Sequence, residues 1–178
     1  MSVLFELARY PRLETNRLLL RPMTKDDLED YFAFTSDDTH LRYAFYPHTS
    51  IEESWKGLVL YNLKEPIGKY GIVEKSSNRL IGNINFKQTD RDDTLEIGYT
   101  LHQDYIGQGY MTEAVSALAN LARDLPGINY LTASTNHDNL ASKAVLENIG
   151  MTLVRQYPDV SLRGQEILTD DYQMVVKD

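Results

Sequence analysis

LEIGYTL at residues 95–101 and DYIGQGYMTEA at residues 104–114 are the two segments that decide the fold. The first alternates apolar and polar residues, which is typical of a β-strand with one buried face. The second places Gly107 and Gly109 directly before a helical pattern. A strand that turns through glycines into a helix leaves backbone N–H groups unpaired at the positive end of the helix dipole. Such a corner binds an anion, most often a phosphate or a pyrophosphate.

The patterns on both sides of this corner predict a mixed α/β fold. We expect strands at residues 17–21, 67–75, 79–87, 94–101, 128–135, 151–157 and 168–176, and helices at 24–35, 50–63, 109–125 and 139–148. Residues 39–47 are predicted to be irregular, and Ser76-Ser77-Asn78 is a turn signal that predicts a hairpin. The order β-αα-βββ-α-β-α-ββ indicates a sheet whose amino-terminal half is largely antiparallel.

Composition limits the classes of protein that the chain can belong to. Its 178 residues suffice for one domain with a substantial core, so we expect a single domain at 1–178. No apolar run is long enough to span a membrane, and a net charge of −8 argues against direct nucleic-acid binding. It also suggests that few cations lie near the anion corner. The chain has no cysteine and its histidines lack metal-ligand spacing, so we expect no metal site and a cytoplasmic protein.

Two familiar phosphate-binding motifs fit the chain poorly. A P-loop requires an upstream glycine and then Gly-Lys followed by Ser or Thr, but Gly68-Lys69 is followed by Tyr70 and lacks that glycine. The dinucleotide fingerprint Gly-x-Gly-x-x-Gly has Thr112 in place of its third glycine. The antiparallel strands expected upstream also argue against a doubly wound sheet.

The turn IGQGYMTEA at residues 106–114 resembles the acetyl-CoA pyrophosphate loop of the GCN5-related N-acetyltransferases (GNAT). It is most similar to the branch that contains the ribosomal-protein alanine N-acetyltransferases RimJ and RimL. Two further motifs carry the resemblance over nearly the whole chain: ETNRLLLR at residues 14–21 resembles that branch's opening strand, and NLASKAVLENIGM at 139–151 resembles its late helix. The resemblance implies a central, mostly antiparallel mixed sheet flanked by helices, with acetyl-CoA as co-substrate.

The resemblance also implies which residues contact acetyl-CoA. The backbone of Tyr99, Thr100 and Leu101 would pair with the pantetheine arm, as an added strand would. The pyrophosphate would bind at the loop and the first helical turn, and the late motif would contribute two more contacts; these residues are Ile106, Gly107, Gln108, Gly109, Tyr110, Met111, Thr112, Asn139 and Ser142. The family often has Gln or Arg three residues before the first loop glycine. This chain has Asp104 there, so backbone amides would have to bind the anion.

Glu96 and Ser142 are the candidate catalytic residues. Glu96 lies on the polar face of the strand that leads into the loop, from which it could act as general base, anchor an ordered water or remain a solvent-facing carboxylate. By resemblance, Ser142 would give a proton to the departing thiolate. If Asn139 caps the late helix, however, capping alone would explain both Asn139 and Ser142.

We therefore expect an acetyl-CoA-dependent N-acetyltransferase that transfers the acetyl group directly to a primary amine. The acceptor would be the α-amino group of a protein or, alternatively, a polyamine, an amino acid or an antibiotic. A catalytically silent acyl-CoA-binding module is the rival from another class. The sequence leaves open whether the protein is a monomer or a homodimer.

Overall fold

The structure is a computed structural model that describes residues 3–177. Its helices are α1 (Val3–Leu7), α2 (Leu28–Thr35), α3 (Asp38–Leu41), α4 (Ile51–Leu58), α5 (Tyr110–Asp124) and α6 (Leu140–Asn148). Its strands are β1 (Leu13–Glu14), β2 (Leu18–Arg21), β3 (Lys69–Glu74), β4 (Arg79–Gln88), β5 (Thr94–Leu101), β6 (Tyr130–Asn136), β7 (Thr152–Val160) and β8 (Glu166–Val175). A π-helical turn at Val59–Leu63 extends α4.

The strands form one sheet in the order β1-β2-β3-β4-β5-β6-β8-β7. Every neighbouring pair is antiparallel except β5 and β6, which run parallel. The predicted hairpin is confirmed, since β3 and β4 pair from Glu74 opposite Arg79. The expected mixed, mostly antiparallel α/β class is therefore confirmed.

Strands β5 and β6 diverge soon after they begin to pair. Their register covers Thr94, Leu95 and Glu96 against residues 130–132 of β6 and then stops. The rest of β5 remains paired on its other side, with β4 through Leu101. The second half of β5 therefore has an unpaired edge that faces a gap between the two strands, which we call the β5–β6 gap.

The sheet has two different faces. On the α5 face, the buried stripe of α5 packs against apolar residues of β2 to β6 in one core. The stripe consists of residues at helical spacing, all buried: Met111, Ala114, Val115, Leu118, Leu121 and Leu125. On the opposite α2 face, a smaller cluster from α2 and α4 covers the first strands around Val73 and Leu80. Beyond it, the α2 face of β5 is polar, because its side chains alternate in direction.

Three short elements differ from the expectation. α1 and β1 have no counterpart among the elements expected from the sequence. Residues 39–47, expected to be irregular, begin within α3. An isolated helix of four or five residues is not stable alone, so tertiary contacts determine it and periodicity does not reveal it. For example, the Leu7 side chain is buried in the main core. No helix within residues 3–177 is long and apolar enough to cross a membrane.

Candidate acetyl-CoA site

The loop between β5 and α5 has an uncapped helix N-terminus. Gly107 and Gly109 have φ values of 78° and 80°, a left-handed conformation that favours glycine. Gly109 is the N-cap of α5, and no side chain caps the helix there. The first-turn N–H groups, including those of Tyr110, Met111 and Thr112, have no intrahelical acceptors. The loop residues 106–109 are exposed, so these groups are accessible to an anion.

A local hydrogen bond shapes this loop. The Gln108 side-chain amide donates to the Asp104 carbonyl over 2.6 Å, while the Asp104 side chain is 73% exposed. The carboxylate that replaces the family's usual donor is therefore not buried in the loop. Within the described residues, the N–H groups of Gly107 and Gly109 donate no backbone hydrogen bond, so they are available as anion donors.

Arg17 supplies a cation that the sequence analysis did not anticipate. Its guanidinium donates to the Gln108 carbonyl (2.9 Å), binds the Glu113 carboxylate (2.7 Å) and lies over the Tyr110 ring. Burial would raise the pKa of Glu113, but hydrogen bonds from Thr15 and Arg17 outweigh it and hold that pKa below its usual value. Arg17, which directly precedes β2, is therefore one cation at the loop, and Glu113 already pairs with it. The expectation of few cations near the corner stays a prediction. The only local signal was Arg17 in the opening motif.

The β5–β6 gap begins beside Glu96 and opens towards this loop. Tyr99, Thr100 and Leu101 lie beyond the last β5–β6 pair, so their edge of β5 has no strand partner. On the paired side of β5, Gly82 of β4 lies so close to the Thr100 carbonyl that a Cβ at Gly82 would clash with that oxygen. Glycine there allows β4 and β5 to pair tightly while the other edge of β5 stays free.

The first turn of α6 meets β5 across this gap. The Tyr99 hydroxyl lies 2.8 Å from Ser142 Oγ and 3.4 Å from the Ser142 carbonyl oxygen. Burial raises the pKa of Tyr99 to about 12, despite a smaller opposite effect of the Ser142 hydrogen bond. Asn139 Oδ1 accepts the Ser142 N–H over 3.2 Å and caps α6. The capping explanation thus accounts for the Asn139 oxygen but not for the Ser142 hydroxyl.

A buried carboxylate of β8 fixes the position of α6. Asp170 of β8 is fully buried and accepts from Lys143 (2.9 Å), His137 (3.0 Å) and Gln156 (2.7 Å). Burial would raise the pKa of Asp170, but these three hydrogen bonds outweigh it and lower that pKa to about 2. Because Lys143 follows Ser142, this ion pair fixes the first turn of α6. No sequence pattern pointed to Asp170.

Glu96 lies on the α2 face at the start of the gap. Lys87 of β4 is its only hydrogen-bond or ion-pair partner in the described part of the chain, at 3.0 Å. The Glu96 side chain is 31% exposed and that of Lys87 is 58% exposed, so the pair contributes at most about 1 kcal/mol. Glu96 therefore remains accessible from the α2 face. It lies on the opposite side of the sheet from Ser142.

The aromatic segment after α2 is held over the α2 face by the β7–β8 turn. Arg163 donates to the Phe45 carbonyl (2.7 Å) and binds the Asp38 carboxylate (2.7 Å). The Tyr46 hydroxyl donates back to the Arg163 carbonyl (3.1 Å). On the α2 face of β4, Asn83 Oδ1 is buried without a hydrogen-bond partner in the described residues. No sequence pattern pointed to Arg163 or Asn83.

The structure thus places the predicted residues in two groups. The loop, the free edge of β5, Asn139 and Ser142 border the β5–β6 gap, and Glu96 faces the α2 side. Residues 3–177 contain no group of three or more side chains that could hold a metal ion.

Comparison with known proteins identifies the family to which the chain is similar. The family model "Acetyltransferase (GNAT) domain" matches residues 17–152. The "Uncharacterized N-acetyltransferase YoaA" of Bacillus subtilis is 31% identical over 157 residues, which cover 83% of this chain and 88% of YoaA.

Two solved structures are similar in fold. The microcin C7 self-immunity acetyltransferase MccE, in complex with acetyl-CoA and AMP, has a TM-score of 0.79 at 19% identity, covering 90% of this chain and 93% of MccE. RimL, the ribosomal L7/L12 α-N-protein acetyltransferase in complex with coenzyme A, has a TM-score of 0.76 at 23% identity, covering 90% of this chain and 95% of RimL.

Proposed function

We propose, from the premise that this chain belongs to the acetyltransferase (GNAT) family, that it acetylates the α-amino group of a protein N-terminus. The chain is an N-acetyltransferase that uses acetyl-CoA. The acceptor and the role of each residue are what the proposal adds.

One observation carries the assignment of the cofactor residues: an uncapped helix N-terminus adjoins an unpaired strand edge. The pyrophosphate would accept hydrogen bonds from the N–H groups of Gly107, Gly109 and the first turn of α5. Arg17 would add a positive charge beside them. The pantetheine amides would pair with the free edge of β5 at residues 99–101, and the thioester would then lie in the β5–β6 gap.

The amine would approach this thioester from the α2 face. A reference α-amino group has a pKa of about 8, so it needs little help to lose its proton near neutral pH. Glu96 would take that proton directly or through a water that it anchors. Ser142, on the other side of the gap, would donate to the thiolate as coenzyme A leaves. Because the chain has no cysteine, a cysteine acyl-enzyme is excluded and direct transfer is the simplest route.

Two features favour an amine acceptor, and the first of them lies on the α2 face. Asn83 offers an unpaired carbonyl oxygen that an N–H of the acceptor could satisfy. The net charge of −8 favours the approach of a protonated amine. The likeness to RimL favours a protein N-terminus, and the likeness to MccE keeps a small-molecule acceptor as the second candidate.

A thiol-release screen tests the acceptor. Peptides that begin with Ala, Ser or Met are compared with the same peptides carrying a blocked amino terminus, and with polyamines, amino acids and aminoglycosides. We expect coenzyme A release with free peptide N-termini and none with the blocked peptides. Release with the small amines alone would replace the protein acceptor by the second candidate.

The rival silent module makes a different prediction in the same screen. It would bind acetyl-CoA with saturation and release no coenzyme A with any amine. We further propose one domain at 1–178 and a cytoplasmic location. Limited proteolysis tests the first point and fractionation of cells that express the chain tests the second. Gel filtration distinguishes a monomer from a homodimer.

A further inference from the structure

We propose that the Tyr99 side chain is a positioning residue, which orients the Ser142 hydroxyl so that its proton points into the β5–β6 gap towards the sulfur of coenzyme A. This inference rests on the proposed function, in which Tyr99 contributes only backbone groups. It assigns a task to a side chain that cofactor binding does not require.

The first step is the isolation of the Ser142 hydroxyl. A helical serine commonly bonds back to a carbonyl of the preceding turn. Here the only hydrogen-bond partner of Ser142 Oγ in the described residues is the Tyr99 hydroxyl, at 2.8 Å. The cap supplied by Asn139 uses the Ser142 N–H and leaves the hydroxyl free to rotate. Tyr99 therefore decides where the single Ser142 proton points.

The second step is the direction of the hydrogen bond between the two hydroxyls. A phenol is a stronger acid than an aliphatic alcohol and thus the better donor. The alternative, in which Ser142 donates to Tyr99, would leave the phenol only the Ser142 carbonyl, which is 3.4 Å away and already accepts within α6. The shorter contact therefore favours Tyr99 as the donor to Ser142 Oγ, with the Ser142 proton directed away from Tyr99.

The third step is the protonation state of Tyr99. Burial raises its pKa to about 12, so the phenol keeps its proton throughout the range in which an α-amino group loses one. A permanent donor to Ser142 Oγ polarises the Ser142 O–H and strengthens its bond to a developing thiolate. No proton leaves Tyr99. As the thioester C–S bond breaks, the sulfur takes up the electron pair and accepts the Ser142 hydrogen bond.

Tyr99→Phe tests this inference, and Tyr70→Phe is the matched control. Tyr70 also lies on the α5 face, has a pKa raised to about 12 by burial, and donates one hydrogen bond, to the Tyr10 carbonyl. We expect Tyr99→Phe to lower kcat about tenfold, the usual effect of weakening a hydrogen bond to a charged group. The KM for acetyl-CoA should not change, and Tyr70→Phe should leave kcat unaltered.

A double-mutant cycle separates positioning from mere packing. Ser142→Ala should lower kcat at least as much as Tyr99→Phe, and the double variant should lose no more than Ser142→Ala alone, because Tyr99 acts through Ser142. Losses that multiply would overturn the inference, and so would an unaltered kcat in either single variant.

Binding of free coenzyme A gives a readout that does not depend on turnover. A thiol has a reference pKa of about 8.5, so the affinity for coenzyme A should rise several-fold between pH 7 and pH 9.5 as the thiolate forms and accepts from Ser142. Tyr99→Phe should flatten this rise, while acetyl-CoA affinity stays constant in both proteins. The same rise in both proteins would overturn the inference. Failure of the unaltered protein to bind acetyl-CoA would instead overturn the cofactor site, and this inference with it.

Discussion

Helices α5 and α6 both begin at the β5–β6 gap, but their N-termini are built differently. α5 follows Gly109, which has no side chain to offer, so its first-turn N–H groups stay free. α6 follows Asn139, whose side-chain oxygen accepts a hydrogen bond from the N–H of Ser142. Asp170 forms an ion pair with Lys143, the residue after Ser142. A free helix N-terminus can bind an anion, whereas a capped N-terminus holds the side chains of its first turn in fixed positions. The comparison separates a cofactor-binding helix from a helix that positions a hydroxyl.

The largest effect should come from closing the free N-terminus. Gly109→Asp places a carboxylate where the pyrophosphate would bind, so we expect acetyl-CoA affinity to fall more than a hundredfold by calorimetry, through charge repulsion and the cost of a left-handed aspartate. Gly127→Asp is the matched control, because Gly127 has a φ of 81° and follows the other end of α5. Unchanged affinity in Gly109→Asp would show that the loop does not bind the pyrophosphate.

The free N-terminus was predictable because its determinants are local. The strand period, the two glycines and the helix period follow one another directly in the sequence, and they determine the geometry of the corner. The capped N-terminus was only half predictable. Asn139 stands three residues before the N–H that it caps, but Asp170 is 33 residues from His137. At the free N-terminus, the contact of Arg17 with Gln108, 91 residues away, was likewise not predictable. Such contacts depend on how the strands are ordered in the sheet, which no local pattern encodes.

The next effect should come from releasing the anchor of α6. Asp170→Asn leaves Lys143 without its counter-charge, so we expect the free energy of unfolding to fall by about 3 kcal/mol at pH 7 in denaturant titrations. Because the pKa of Asp170 is lower in the folded protein, its contribution is present above about pH 4 and is lost as the pH falls towards 2. The difference in the free energy of unfolding between Asp170→Asn and the unaltered protein should therefore shrink as the pH falls from about 4 towards 2.

Asp171→Asn is the control for this variant. Asp171 is the next residue of β8, faces the other side of the sheet and accepts from Ser134 at an exposed position. We expect Asp171→Asn to lower the free energy of unfolding by less than about 1 kcal/mol. Equal destabilisation of the two variants would mean that Asp170 does not anchor α6.

A smaller effect is expected from Glu96, which belongs to neither helix. Glu96→Gln removes the proton acceptor but keeps the shape, so kcat should fall about tenfold or more while acetyl-CoA affinity stays the same. Lys87→Met, which breaks the ion pair and keeps the carboxylate, is the control and should retain most of the turnover. If the pH–rate profile of Glu96→Gln matches that of the unaltered protein, Glu96 is structural.

The smallest effect is expected at Asn139. Variants of this residue test whether the capped N-terminus also binds the cofactor. The Asn139 oxygen caps α6, and its amide nitrogen has no partner among the described residues. Serine caps a helix as well as asparagine does but brings no amide donor. Asn139→Ser should therefore keep the stability, whereas Asn139→Ala should lose about 1 kcal/mol.

If the Asn139 amide also donates to acetyl-CoA, both variants should lose a similar factor, about fivefold, in acetyl-CoA affinity. We expect this result, since the amide borders the gap in which the pantetheine would lie. Full affinity in Asn139→Ser would limit Asn139 to capping. The N-terminus of α5 would then bind the anion, and the N-terminus of α6 would serve only to position Ser142.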